Sequence, residues 1–276
     1  MSKNLSDLTG PNEPIVRTLG GLPVHSVSAS PGNDYLKALF YGPSGVGKSV
    51  LAASASEVEA LSPVVFLNSD KGTRSVAEFY PNVVEVRINK FMEFQAIFED
   101  LRKGHSEFKT VIVDSVTEDH RLSMDKIMTD TVDKFPERDI EVPAQREWGK
   151  AGEQVRKLIR AYRDLPMNVI FIALEGIEQD KEQNIKAIGP ALPGKLLKEV
   201  PGYVDIVGRM YTKTITREGK DIVVRGLYCA NRDKAIGKDR TNSIPIPLVD
   251  PTMAKIYGHF VGTNKNNQPN ETKETK

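Results

Sequence analysis

From residue 35 onward, short apolar runs alternate with stretches whose apolar residues recur every three or four positions. The runs fall at 35–41, 64–67, 83–88, 110–113 and 169–174. Each is bounded by polar or turn-forming residues and has the length of a buried strand. Between them, 49–61 places Leu51, Ala55, Val58 and Leu61 near one helical face. Residues 91–101 do the same with Phe91, Phe94, Ile97, Phe98 and Leu101. A helix is predicted over 120–132, and a stronger one over 145–165, where Trp148, Val155, Leu158, Ile159 and Tyr162 form a stripe. Strands alternating with helices predict β-α-β units and a mostly parallel sheet covered on both faces. The pattern changes after Pro193. Residues 203–214 and 221–230 are long and β-rich, and Arg217, Glu218, Gly219 and Lys220 between them suit a hairpin turn. A short helix over 251–260 completes an α/β fold whose sheet ends in a C-terminal antiparallel hairpin.

The flanks differ from this core. Residues 1–14 are polar and carry Gly10, Pro11 and Pro14, so a flexible N-terminus is expected. Residues 263–276 are mostly Asn, Lys, Thr and Glu, which predicts a disordered tail. That leaves 15–262 as one domain, a normal size within 276 residues. The 38 Lys+Arg against 37 Asp+Glu remove any global basic footprint, so nucleic-acid binding needs a local patch. Cys229 stands alone, which excludes an internal disulfide and a multi-cysteine zinc site. No run approaches the roughly 18 apolar residues of a membrane span, and the N-terminus lacks the apolar centre of a signal peptide. A cytoplasmic protein with no membrane partner is expected.

One motif carries specific chemistry. Gly42-Pro43-Ser44-Gly45-Val46-Gly47-Lys48-Ser49 satisfies G-x-x-x-x-G-K-[ST] between an expected strand and an expected helix. Glycines let backbone N–H groups close around phosphates, and the helix start adds its positive end. Lys48 is placed to reach the β- and γ-phosphates, and the Ser49 hydroxyl to take Mg²⁺. The plain alternative is a Gly-rich turn that binds nothing. Asn231-Arg232-Asp233-Lys234 lacks the guanine-reading N-K-x-D order, which favours ATP over GTP.

Acids at strand ends extend the site. Asp114 closes the run 110–113 and is a Mg²⁺ partner of the Walker B kind. Its bland alternative is a cap on the next helix. Asp70 follows the strand after the P-loop helix and is the first candidate to orient an attacking water. Glu175, at the end of 169–174, is a candidate γ-phosphate sensor. Glu118 is a weaker alternative to Asp70. Each could equally be a solvated loop acid.

Together, the P-loop GPSGVGKS, the second strand FLNSDKG, TVIVDSV and VIFIALE resemble the RecA-like ATPases. More closely, they resemble the compact phage and prophage RecA-core proteins, some of which anneal single strands. Val113-Asp114-Ser115-Val116 matches the family's V-D-S-V. The resemblance implies a RecA-like core, ATP hydrolysis with Mg²⁺, single-stranded DNA as a partner in recombination or annealing, and a homo-oligomer with sites between subunits. A single-strand DNA-binding protein is a further implied partner, and phage origin would put the protein in a host cytoplasm. The family carboxylate falls on Asp70, where Glu is usual. Leu174 and Glu175 stand where RecA has Gln. The basic pair that a neighbour supplies in trans falls on Arg232 and Lys234, with Lys238 and Arg240 as runners-up. Two DNA loops fall at 135–146, with Phe135, Arg138 and Arg146, and at 176–189, with Lys181 and Lys186. Two other readings stay open: a small-molecule P-loop kinase, and a nucleotide-dependent assembly module that hydrolyses little.

Overall fold

A computed structural model describes residues 35–104, 107–217 and 220–266, together with two strands near the N-terminus, β1 (Arg17–Leu19) and β2 (Leu22–Val24). The chain divides into two compact units, 1–34 and 35–276. In the first, β1 and β2 pair antiparallel from Arg17 opposite Val24 to Leu19 opposite Leu22.

The second unit begins with β3 (Lys37–Gly42), α1 (Lys48–Ala53), β4 (Val64–Asn68), α2 (Arg74–Phe79), β5 (Val84–Arg87) and α3 (Glu93–Arg102). It continues with β6 (Thr110–Asp114), α4 (Val116–Lys134), α5 (Gln145–Arg163), β7 (Asn168–Gln179), β8 (Ile185–Pro190) and α6 (Leu196–Glu199). It ends with β9 (Ile206–Arg217), β10 (Lys220–Tyr228), β11 (Lys238–Asp239), β12 (Leu248–Val249) and α7 (Met253–Asn266). One sheet runs in the order β12-β10-β9-β3-β7-β6-β4-β5, with β8 on β7 and β11 on β9. The ladders from β5 through β9 are parallel, whereas β9–β10, β10–β12 and β7–β8 are antiparallel. This is the α/β fold of P-loop NTPases, with the expected C-terminal antiparallel hairpin.

Strands β3, β4 and β6 are buried along their whole length, which is why they read as unbroken apolar runs rather than alternating ones. One face packs Leu39, Tyr41, Val113 and Phe171 against Phe94 and Leu101 of α3 and Val155, Ile159 and Tyr162 of α5. The other packs Phe40, Phe66, Ile112 and Ile172 against Leu51 and Ala52 of α1 and Met253 and Ile256 of α7. Burial of such side chains, about 1.5–3 kcal/mol each, drives the fold. The consequence for function is that the C-terminal ends of β3, β4, β6 and β7 are held side by side at one edge.

Several elements depart from the sequence expectation. The helix expected over 49–61 is α-helical only to Ala53 and continues as a 3₁₀ turn, Ser54–Glu57. Ser54 Oγ donates to the Leu51 carbonyl (2.6 Å) and Ser56 Oγ to that of Ala53 (2.9 Å), and such local bonds compete with the helical ladder. The stretch 176–189 is not a loop. β7 runs on past Leu174 and folds back as β8, pairing Glu175 with Pro190 and Ile177 with Ile188. Its apolar residues are sparse and mixed with charge, so the strand period is weak there. α4 begins earlier than expected because Ser115 caps it, its Oγ accepting from Glu118 N (3.3 Å). α7 extends to Asn266, inside the stretch 263–276 read as a tail; the stretch 1–14 expected to be flexible, positions 218 and 219 of the expected hairpin turn and the remainder of the expected tail lie outside the described residues. No described helix is long and apolar enough to cross a membrane.

Candidate functional site

The loop from Gly42 to Lys48 joins the tip of β3 to the start of α1. A Cβ on Gly42 would collide with the Met210 carbonyl oxygen of β9, so the loop leaves the strand through a gap only glycine fits. Gly45 has φ +74 and nothing within 4 Å of where its Cβ would be, so the loop's outer side is open. Gly47 (φ +100) precedes α1. Lys48 turns back under the loop, its Nζ donating to the carbonyls of Gly42 (3.0 Å) and Pro43 (2.8 Å). Burial lowers its pKa, while Asp114, then Asp70, then Glu175 raise it. The sequence candidates Asp70, Asp114 and Glu175 thus share one electrostatic neighbourhood around this ammonium.

Asp114 ends β6 and is buried. Ser49 Oγ, from the first turn of α1, donates to its Oδ2 at 2.6 Å. Burial pushes the Asp114 pKa up to about 6, against the hydrogen bond from Ser49; neighbouring Asp70 adds to the rise and Lys48 opposes it. A buried carboxylate beside a hydroxyl, both hard oxygen donors, fits Mg²⁺, with phosphate or water oxygens completing the shell. Open space over Gly45 and the ammonium below the loop fit a polyphosphate.

Behind Asp114 lies a mesh that the sequence did not reveal. Ser69 N donates to the Asp114 carbonyl (2.8 Å), Ser115 N donates to Ser69 Oγ (3.1 Å), and Ser69 Oγ donates to Asp119 Oδ1 (2.7 Å). Asp119 is fully buried, and burial holds its pKa well above the usual carboxylate range. These bonds lock the tip of β4, and with it Asp70, to the tip of β6. Asp70 itself is exposed and its carboxylate takes no hydrogen bond or ion pair among the described residues. Glu118 is paired with Arg121 along α4, away from such a role.

Two arginines were missed. Arg209 of β9 binds Glu175 through both oxygens, Nε to Oε2 at 2.7 Å and Nη2 to Oε1 at 3.1 Å. The signal was present: β9 opens Ile206-Val207-Gly208, and Arg209 continues the face of buried Val207. Arg225 of β10 lies over the loop, its Nε 3.2 Å from a Cβ built on Gly47. It borders a cavity of about 340 Å³ shared with Val50, Ser75, Tyr80 and Thr252. Only long-range pairing of β10 with β9 brings it there.

The basic pair has partners of its own. Arg232 Nη1 donates to Tyr228 Oη (3.0 Å) and its guanidinium lies over that ring, while Lys234 Nζ donates to the Ile185 carbonyl of β8 (2.6 Å). The runners-up tie the fold. Lys238 Nζ donates to the Val204 carbonyl (2.7 Å) and Arg240 pairs with Asp205 (2.7 Å). In the stretch 135–146, Phe135, Ile140 and Val142 are exposed, as is Trp148 just beyond it; Arg138 is drawn toward Glu147 (3.4 Å).

Among solved structures, the chain is similar to the flagellar accessory protein FlaH from Methanocaldococcus jannaschii, at 11% identity and TM-score 0.39 over 79% of this chain and 87% of that one. It is also similar to the RadB recombinase, at 16% identity and TM-score 0.39 over 75% and 84%. A third is an ATPase of the type III secretion system of pathogenic bacteria, at 17% and 0.38 over 64% and 51%. No curated protein sequence matches the chain. The profile of the AAA domain matches residues 34–241, from just before β3 to just after β11. Its span takes in the P-loop, Asp70, Asp114, Glu175 and the basic pair, and the chain therefore belongs to the AAA-domain family of P-loop ATPases.

Proposed function

We propose that this chain binds and hydrolyses ATP with Mg²⁺ and couples the cycle to single-stranded DNA in recombination or annealing, as an oligomer in the cytoplasm. The observation that carries the reading is the convergence of Lys48, Ser49, Asp114, Asp70 and Glu175 on one loop at the sheet edge. Gly42 to Ser49 cradle the phosphates, and Lys48 exchanges its carbonyl partners for phosphate oxygens. Ser49 and Asp114 hold Mg²⁺, which neutralises charge on the transferred phosphoryl oxygens. Asp70, exposed on a tip that Ser69 and Asp119 keep fixed, orients the attacking water. Arg232 and Lys234, anchored outside their own P-loop, suit a role toward a neighbouring subunit's γ-phosphate. Exposed Phe135 and the outer face of Trp148, whose other face stacks on His120, offer platforms to a single strand, with Arg138 and Arg146 nearby in sequence as cations.

The experiment is ATP hydrolysis with and without single-stranded DNA, with Lys48→Ala as blank. Stimulation of wild type by DNA supports the full reading. Hydrolysis indifferent to DNA removes the DNA part and leaves the ATPase. A second reading, nucleotide-dependent assembly with little hydrolysis, is favoured by the unsupported, short side chain of Asp70. It predicts ATP-dependent growth in particle mass with turnover equal to that of Asp70→Ala.

A further inference from the structure

The Glu175–Arg209 pair crosses over the P-loop strand. β3 lies between β7 and β9, with Leu174 opposite Gly42 on one side and Arg209 opposite Tyr41 on the other. The two side chains therefore meet above the end of β3, one residue from the first glycine of the loop. Both are mostly enclosed, Arg209 25% and Glu175 14% exposed. Glu175 is also one of the three acids whose field reaches Lys48. The nearby phenol is already committed, since Tyr41 Oη donates to the carbonyls of Ile236 (2.6 Å) and Ile188 (3.2 Å). A fixed carboxylate thus stands at the edge of a loop shaped for a polyanion, and it holds a guanidinium whose own residue lies opposite Tyr41, the last position before that loop.

We propose that Arg209 discriminates ATP from ADP within its own subunit: the γ-phosphate takes the guanidinium that Glu175 holds here, and ADP leaves the pair closed. The proposal rests on the nucleotide-binding reading above. The planar fork of arginine matches phosphate oxygens as well as it matches a carboxylate, so the exchange costs no donor geometry. The γ-phosphate carries more charge than the carboxylate and repels it once Arg209 has moved. Glu175 is the first residue of the β7–β8 ladder, paired with Pro190, so release of its partner occurs at the root of that hairpin. The β8 strand in turn carries Lys234 through Ile185 and Ile188.

The test is titration of wild type, Arg209→Ala, Glu175→Gln and the double variant with ADP and with a non-hydrolysable ATP analogue, Mg²⁺ present throughout. Arg209→Ala is expected to weaken the analogue at least about tenfold and ADP less than about threefold, the signature of a contact made to one phosphate only. Glu175→Gln, which removes the competitor, is expected to tighten the analogue. The double variant is expected to stay as weak as Arg209→Ala. Recovery of wild-type affinity in the double variant would overturn the proposal, because Arg209 would then only neutralise Glu175. Equal weakening for both nucleotides, or no change, would overturn it as well. If Arg209→Ala fails to fold, Arg209→Lys, which keeps the charge and loses the fork, takes its place with the same expectation. Failure of wild type to bind either nucleotide would sink the phosphate-site reading and this proposal together, whereas wild-type binding with unchanged variants sinks the Arg209 assignment alone.

Discussion

The two halves of the strand-tip edge are built differently. At β4 and β6 the chain stops at the sheet edge, and the tips are buried and cross-bonded: Ser49 to Asp114, Ser69 to the Asp114 carbonyl and to Asp119. At β7, β9 and β10 the strands run on as two hairpins that expose Ile177, Ile185, Ile215, Ile222 and Val223. The first half is over-determined, and a metal site needs such fixed oxygens. In the second, β7 and β9 flank the P-loop strand, the Glu175–Arg209 pair links them beside the loop, and Arg225 overlies it. In the function proposed above, the metal and the attacking water belong to the rigid half.

The sharpest way to break this contrast is Asp114→Ala. Loss of the metal partner should lower hydrolysis by about a hundredfold or more, while the melting temperature does not fall, because a buried, poorly solvated carboxylate leaves with it. Hydrolysis within a few-fold of wild type would show that Ser49 and Asp114 are not the metal pair. Next come two glycines of the same loop. Gly42→Ala meets the Met210 backbone and should cost about 3 kcal/mol, whereas Gly45→Ala, strained in φ but facing open space, should cost about 1 kcal/mol. Denaturant titration of both separates rigid strand exit from open loop, and equal costs would contradict the difference.

Lys37, at the opposite end of β3, gives a smaller and pH-dependent effect. Its Nζ donates to the carbonyls of Leu165 (2.7 Å) and Met167 (2.5 Å), and burial lowers its pKa to about 8. Above that pH the folded state has released a proton that the unfolded chain still holds, so folding is favoured as pH rises from about 8 toward about 10.5. Wild-type stability should therefore gain on that of Lys37→Met between about pH 7 and pH 10, with a flat difference contradicting the assignment. Smallest of all, Ile222→Thr on the projecting hairpin should change stability by no more than about 0.5 kcal/mol. A loss of about 2 kcal/mol would mean that the hairpin is packed against something rather than free.

What was legible in the sequence follows the same division. β3, β4 and β6 read clearly because both of their faces are buried, and the P-loop because its chemistry demands fixed residue types at fixed spacing. Asp70, Asp114 and Glu175 stand out as candidates because each follows an apolar run. α2 was not, since a six-residue helix with Val76 as its one buried side chain has no period to detect. β8 reads as a loop in the sequence because Ile185, Ala187 and Ile188 are broken up by Lys186 and followed by Gly189 and Pro190, and its partner is the polar half of β7. Asp119 and Arg225 act through partners 50 positions away in the first case and through the β9–β10 register in the second, and no local pattern encodes either.

The most direct test of the central claim is calorimetric titration of wild type with ATP in Mg²⁺ and in EDTA, beside Ser49→Ala. The site predicts tight binding in Mg²⁺, a loss of about tenfold or more in EDTA, and a Ser49→Ala protein that binds weakly and no longer responds to the metal. Binding of equal strength in Mg²⁺ and EDTA, unchanged by Ser49→Ala, would contradict it.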